Sequence, residues 1–239
     1  MTDERLIVAL DVHSIDEVHN LVETLGDSVG FYKVGMELFY SMGDEVIAYL
    51  KDKGKKVFLD LKLHDIPNTV ANALRVLTHL GVDMINVHAT GGMVMMEKAL
   101  EAVKDEAEKL GIKRPKLVAV TILSSISLKD WSRMWPDMDL DDQAVHMAKL
   151  VQEAGLDGVV SSPMEAETIR QACGEDFLIV TPGVRPAGTA INDQSRITTP
   201  AIALSSGATH LVVGRPIRSA LNPKHAAENI LKEMGSVKS

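Results

Sequence analysis

Residues 56–87 read KVFLDLKLHDIPNTVANALRVLTHLGVDMINV. Two short apolar runs, 56–61 and 84–87, bracket a stretch over 69–80 with helical spacing of its apolar residues. Gly81 follows the helix, where a glycine supplies the left-handed conformation that closes it and turns the chain back. The stretch predicts one strand–helix–strand unit. Each run has the length of a buried parallel strand.

Outward from this unit the pattern repeats. Further runs at 6–10, 31–34, 117–122, 158–160, 178–181 and 210–213 alternate with amphipathic stretches such as 16–25, 43–53 and 95–110. Gly155 and Gly207 end helices as Gly81 does. Eight such units predict an α/β fold, a closed (β/α)8 TIM barrel, with residues 1–239 as a single domain. A doubly wound open sheet is the alternative, but usually has fewer strands. Barrels of this kind run to about 250 residues, so one fills the chain. No Pro/Ser-rich linker, low-complexity tract or fixed-period repeat divides it. Two connections are long, 124–142 and 182–199. Long loops on compact folds are often functional, and barrels carry their active sites at the C-terminal ends of the strands.

Composition narrows the function. With 46% hydrophobic and 24% charged residues the chain is an ordered globular protein. A core of this size needs neither disulfide nor structural metal. The single cysteine, Cys173, allows no intrachain disulfide and no thiolate metal cluster. It lies in a helical stretch without a nearby base and reads as inert. A net charge of -8 and an aromatic content of 4% argue against a nucleic-acid partner. The N-terminal apolar run stops at Asp11, too short for a signal peptide or a membrane span. The expectation is a cytoplasmic protein with no membrane contact.

Charged residues gather at strand ends. Asp60 and Lys62 are two apart on a strand and so share a face. They are expected to point to the barrel axis, with Leu59 and Leu61 packed outward. Asp11 ends the first strand, Lys33 lies in the second before Gly35, and Asp65 follows the third. A structural ion pair explains one such pair. Two lysines and three carboxylates at one rim exceed what stability requires, because buried charges are costly unless matched. A lysine set between carboxylates keeps its proton. Lys62 therefore reads as a proton donor rather than a Schiff-base nucleophile. Asp60 would repel a bound anionic group, and Lys62 would stabilise a developing carbanion.

The eighth strand ends in Gly214-Arg215, where barrels often bind phosphate at a short helix start. Gly214 admits a ligand to the backbone, and Arg215 can grip phosphate through two parallel hydrogen bonds. The loop 182–194, with Pro182, Arg185 and a terminal Gln194, reads as a lid over that phosphate. Asp137, Asp139, Asp141 and Asp142 lack the glycine and glutamate of a calcium loop and read as a turn and helix cap. His64 and His88 read as structural histidines rather than metal ligands with Asp60. No metal and no cofactor is expected.

The run Asp60-Leu61-Lys62-Leu63-His64-Asp65-Ile66-Pro67-Asn68-Thr69 resembles the signature of the orotidine 5′-monophosphate decarboxylase family, in its compact bacterial form. Further matching blocks follow in the family's order: Ala9–Asp11, Lys33–Glu37, Asn86–Ala89, Thr181–Arg185, Asn192–Gln194 and Val213–Ile217. The resemblance implies a cofactor-free lyase that converts orotidine 5′-monophosphate to uridine 5′-monophosphate and carbon dioxide, the last step of de novo pyrimidine nucleotide synthesis. It implies a charged array of Lys33, Asp60, Lys62 and Asp65. In it Lys62 protonates C6, Asp60 sits by the substrate carboxylate, and Lys33 orients the array and touches the ribose. Asp11 would bind the nucleoside and Ser124 the base. Pro182, Arg185, Gln194, Gly214 and Arg215 would hold the phosphate. It also implies a homodimer with shared sites, into which Asp65, Ile66 and Thr69 reach from the partner. Two rivals remain. One is a metal-dependent 3-keto-6-phosphate decarboxylase or hexulose-phosphate synthase, which shares Asp-x-Lys-x-x-Asp. The other is a non-catalytic phosphosugar- or nucleotide-binding barrel.

Overall fold

In the computed structural model, which describes residues 3–186 and 198–235, eight strands alternate with helices. They are β1 (Leu6–Ala9), β2 (Phe31–Gly35), β3 (Lys56–Leu63), β4 (Met84–His88), β5 (Lys116–Val120), β6 (Gly158–Val160), β7 (Leu178–Thr181) and β8 (His210–Val213). All pair in parallel, each with the next, and β8 closes on β1. The expected (β/α)8 barrel is the observed fold.

Alternation along the strands builds two cores. Inward go Ile7, Ala9, Phe31, Phe58, Met84, Val118, Val120, Val160, Val180 and Val212, which fill the barrel. Outward go residues such as Val8, Val34, Leu59, Ile85, Leu117, Ile179 and Leu211, which share one continuous core with the helices. Fully burying an aliphatic side chain of this kind is worth about 1.5–3 kcal/mol. Leu59 and Leu61 lie in this outer core, as expected.

The decisive unit folds as read, with small shifts. Its helix is Pro67–Thr78, started by a proline whose missing N–H is no loss in the first turn. Gly81 and Gly207 both take positive φ, 66° and 98°, and return the chain to the sheet. Two elements were not anticipated. A helix Met36–Met42 follows β2 directly, and a helix Leu128–Met134 interrupts the connection 124–142. Ser127 caps the latter by accepting from the Asp130 N–H. Trp131 from it packs with Ile122, Leu140 and Ala144 in a small core of its own. Asp139 caps the helix Leu140–Glu153 by accepting from Asp141 and Asp142, so this acidic cluster is the cap expected of it. No helix among the described residues is long and apolar enough to cross a membrane.

Candidate active site

The apolar fill of the barrel stops partway up, and a polar layer stands on it. Two residues beyond Phe31, Phe58 and Met84, on the same inward face, come Lys33, Asp60 and Asn86. Lys33 Nζ lies 3.2 Å from Asp11 Oδ1 and 3.3 Å from Asp60 Oδ2. Lys62 Nζ donates to Asp60 Oδ1 at 2.7 Å. The four side chains thus form a chain of alternating charge, Asp11–Lys33–Asp60–Lys62. Its middle is dry: the side chains of Lys33 and Asp60 are 12% and 11% exposed, against 48% for Asp11.

Burial alone would depress the Lys33 ammonium, but Asp60 and Asp11 outweigh it and hold Lys33 above its ordinary value. Burial alone would raise the Asp60 carboxyl; Lys33, Lys62 and the Asn86 hydrogen bond outweigh that and hold it below the usual carboxylate range. Both groups therefore stay charged.

Lys62 reaches Asp60 by an irregular route. The β3–β4 register breaks between Leu59, which faces Ile85, and Leu63, which faces Val87. Four steps along β3 thus match two along β4. Within the bulge Lys62 takes φ 52°, the one described non-glycine residue at positive φ. Such a backbone costs roughly 1–3 kcal/mol and persists only where its surroundings over-determine it. Here the surroundings are Asn86, which is fully buried. The Lys62 N–H donates to Asn86 Oδ1 at 2.8 Å, and Asn86 Nδ2 donates to Asp60 Oδ1 at 2.7 Å.

A cavity of about 230 Å³ opens beside this array at the C-terminal mouth, lined among others by Lys33, Asp60, Lys62, Ser124, Ser161 and Pro182. A larger cavity, about 410 Å³, lies at the opposite mouth, where the strands begin. There Lys56 is paired with Glu4, and Arg114 and Lys116 with Asp157. Barrels of this kind carry their active sites at the C-terminal ends of the strands, so the smaller cavity is the better candidate.

Two arginines follow β7 and β8 at the same mouth. Arg185 is buried, donates from Nη1 to Val184 O at 3.0 Å, and leaves its buried Nε without a partner among the described residues. Burial and the neighbouring Arg215 push its guanidinium below the ordinary value. Two adjacent cations, one of them desolvated, favour an anion between them. Gly214 is the residue before the short helix Arg215–Arg218, and a Cβ there would stand 3.4 Å from Asp11 Oδ2.

The structure thus brings together Asp11, Lys33, Asp60 and Lys62, and sets Ser124 and Pro182 on the same cavity. Asp65, Ile66 and Thr69 stand exposed at the rim instead. The Asp65 carboxylate accepts from the Ile66 N–H at 2.7 Å, and among the described residues no ion pair joins it to the other four. Gln194 lies outside the described residues. His64 and His88 stack at 5.4 Å, and burial pushes His88 down to about 4, so it is neutral. Among the described residues no group of three or more His, Cys, Asp or Glu is placed to hold a metal ion. Sequence reasoning gave no role to Asn86 or to Ser161, whose buried hydroxyl has no partner among the described residues. A polar residue on the inward face of an apolar strand was the available signal for Asn86.

A closed parallel barrel with charged side chains collected at the C-terminal ends of its strands has the architecture of the (β/α)8-barrel enzymes. Comparison with known proteins narrows this class. The chain belongs to the Orotidine 5'-phosphate decarboxylase / HUMPS family, which matches residues 4–230. An Orotidine 5'-phosphate decarboxylase of Syntrophomonas wolfei is 51% identical, over 97% of this chain and 98% of its own. One from Moorella thermoacetica is 48% identical, over 98% and 94%. The crystal structure of Orotidine 5'-phosphate decarboxylase from Lactobacillus acidophilus superposes with a TM-score of 0.85 at 42% identity, covering 97% of this chain and 99% of that one.

Proposed function

We propose that this chain decarboxylates orotidine 5′-monophosphate to uridine 5′-monophosphate and carbon dioxide, as a cytoplasmic homodimer and without a cofactor. The observation that carries the reading is the alternating chain Asp11–Lys33–Asp60–Lys62, buried at its centre, beside the cavity of the C-terminal mouth. A simple binder has little use for it, since Asp60 repels an anionic ligand group. The names of the relatives favour the nucleotide reaction over the metal-dependent sugar-phosphate reactions.

In this reading the nucleotide lies with its pyrimidine over Lys62 and its phosphate between Arg185 and Arg215, with Pro182, Gln194 and Gly214 beside it. Asp60 faces the substrate carboxylate. The bond from C6 to that carboxylate breaks, carbon dioxide leaves, and the electron pair stays on C6. The Lys62 ammonium sits where this carbanion develops and gives it a proton. The neutral amine left behind regains its proton from solvent. Lys33, held between two carboxylates, keeps Asp60 ionised and aligned and meets the ribose. Asp11 binds the nucleoside and Ser124 the base. Asp65 completes the array across the dimer, with Ile66 and Thr69 reaching into the partner's site; their exposure at the rim supports this.

The test is the change in ultraviolet absorbance when purified protein meets orotidine 5′-monophosphate, with and without a strong chelator. Loss of the substrate spectrum that survives chelation is expected. No change, or a change that chelation abolishes, would overturn the reading.

A further inference from the structure

One fully buried polar side chain of the site is given no part in the proposed reaction. Asn86 is fully buried on β4, and both ends of its amide are engaged. Its orientation is determined by its partners. The Lys62 N–H can only donate, so it takes the amide oxygen. The Asp60 carboxylate can only accept, so it takes the amide nitrogen. Turned over, the amide would set oxygen against oxygen and N–H against N–H.

The two contacts fall on the two ends of one irregular segment. Within the bulge from Leu59 to Leu63 the Lys62 N–H has no ladder partner from β4, and the Asn86 side chain takes that place. The same amide holds Asp60 Oδ1, the atom on which Lys62 Nζ also rests. We infer that Asn86 is a positioning residue for the proposed decarboxylation: it locks the Lys62 backbone in its left-handed turn and pins the Asp60 carboxylate, fixing where the ammonium stands relative to the reacting carbon. The inference rests on the proposed reaction. Asn86 need not touch substrate to act; it sets the geometry of two groups that do.

The role separates from a merely structural one by what it leaves alone. The arginines that would hold the phosphate lie on other elements, after β7 and β8. Affinity for the product nucleotide should therefore survive loss of Asn86 while turnover falls. Two variants with the same number of side-chain heavy atoms serve. Asn86→Leu removes both contacts. Asn86→Asp keeps an acceptor for the Lys62 N–H and sets a like charge against Asp60.

Wild type and both variants are assayed with orotidine 5′-monophosphate and titrated with uridine 5′-monophosphate. A misplacement of about 1 Å costs on the order of 10²-fold, and that is the expected fall in kcat for Asn86→Leu. Product affinity should stay within about threefold, the signature of an interaction made at the transition state and not in binding. Asn86→Asp should fall further than Asn86→Leu. A folded variant with near-normal kcat, or product affinity falling in step with kcat, would overturn the inference. So would loss of the fold in both variants, judged by circular dichroism, because Asn86 would then be structural. A wild-type protein inert towards the substrate overturns the functional reading itself and needs no variant to show it.

Discussion

Gly35 lies directly against Lys33: a Cβ built on the glycine would stand 3.0 Å from Nζ. Its backbone, φ -90° and ψ 179°, is open to any residue, so what keeps the position small is the neighbouring ammonium. Lys33 has little room to yield, because Asp11 and Asp60 hold it on two sides. Gly35→Ala should therefore fold normally, with an unchanged melting temperature, yet lower kcat. A shift of a few tenths of an ångström is expected to cost roughly tenfold, against about 10²-fold for a full ångström. Unaltered kinetics in the folded variant would show that Lys33 is not held to its place.

Lys62→Ala removes the proposed proton donor. Loss of a general acid costs about 10²–10⁴-fold, and more where the same group stabilises developing charge. The proposed phosphate contacts of Arg185 and Arg215 are left in place, so nucleotide binding should change less than kcat does. The assay is the loss of substrate absorbance, and near-normal turnover would remove Lys62 from its role.

The barrel was legible in the sequence because short apolar runs mark every unit and closing glycines, Gly81, Gly155 and Gly207, mark several. Gly81, read as the stop of one helix, is at positive φ in the fold. The approach of Asp60 and Lys62 was legible too, but for a reason that is only half right. Strict alternation carries Asp60 inward; beyond it the β3–β4 register slips and Lys62 turns left-handed. No glycine or asparagine stands at that position to announce such a turn. The part of Asn86 was hidden for the same reason, since its partners are defined by a bulge that only strand pairing reveals. The helix Leu128–Met134 escaped because its single buried residue, Trp131, is too little to show a helical period.

Acid should weaken the fold before it discharges the array. Burial pushes His210 down to about 4, and burial, with His64 and Lys62 nearby, does the same to His88. Both rings are neutral in the fold, whereas in the unfolded chain they take protons near pH 6.5. Between these values the unfolded chain binds more protons than the folded one. The contribution is thus full above about pH 6.5 and is lost as the pH falls towards 4. For His210 it amounts to about 1–2 kcal/mol between pH 7 and 5. Asp60, held below its usual range, keeps its contribution until the pH drops below about 4. Urea midpoints at the two pH values measure the effect, and His210→Gln should flatten it.

Arg185 and Arg215 bear on how remote binding energy is used. Each charge-assisted hydrogen bond is worth about 1.5–3 kcal/mol, so the loss of even one on Arg215→Ala should raise KM by roughly 10–10²-fold. The nucleoside without its phosphate should lose far more than binding. If phosphate contacts draw the loop 182–194 closed and expel water from the array, the missing group lowers the rate at saturation as well. A nucleoside that turned over normally once saturating would disprove the lid.

Asp65 gives the most direct test of a shared site. Its carboxylate stands at the rim, engaged among the described residues only with the Ile66 N–H, five residues past the Asp60 it is proposed to join. In an isologous dimer each site would take Lys62 from one subunit and Asp65 from the other. Lys62→Ala and Asp65→Ala should then each be nearly inactive alone. Mixed and allowed to exchange subunits, they form heterodimers in which one site carries both lesions and the other carries neither. Random exchange should restore about a quarter of wild-type activity. If Asp65 served the site of its own chain, every site in the mixture would still carry a lesion, and no activity would return.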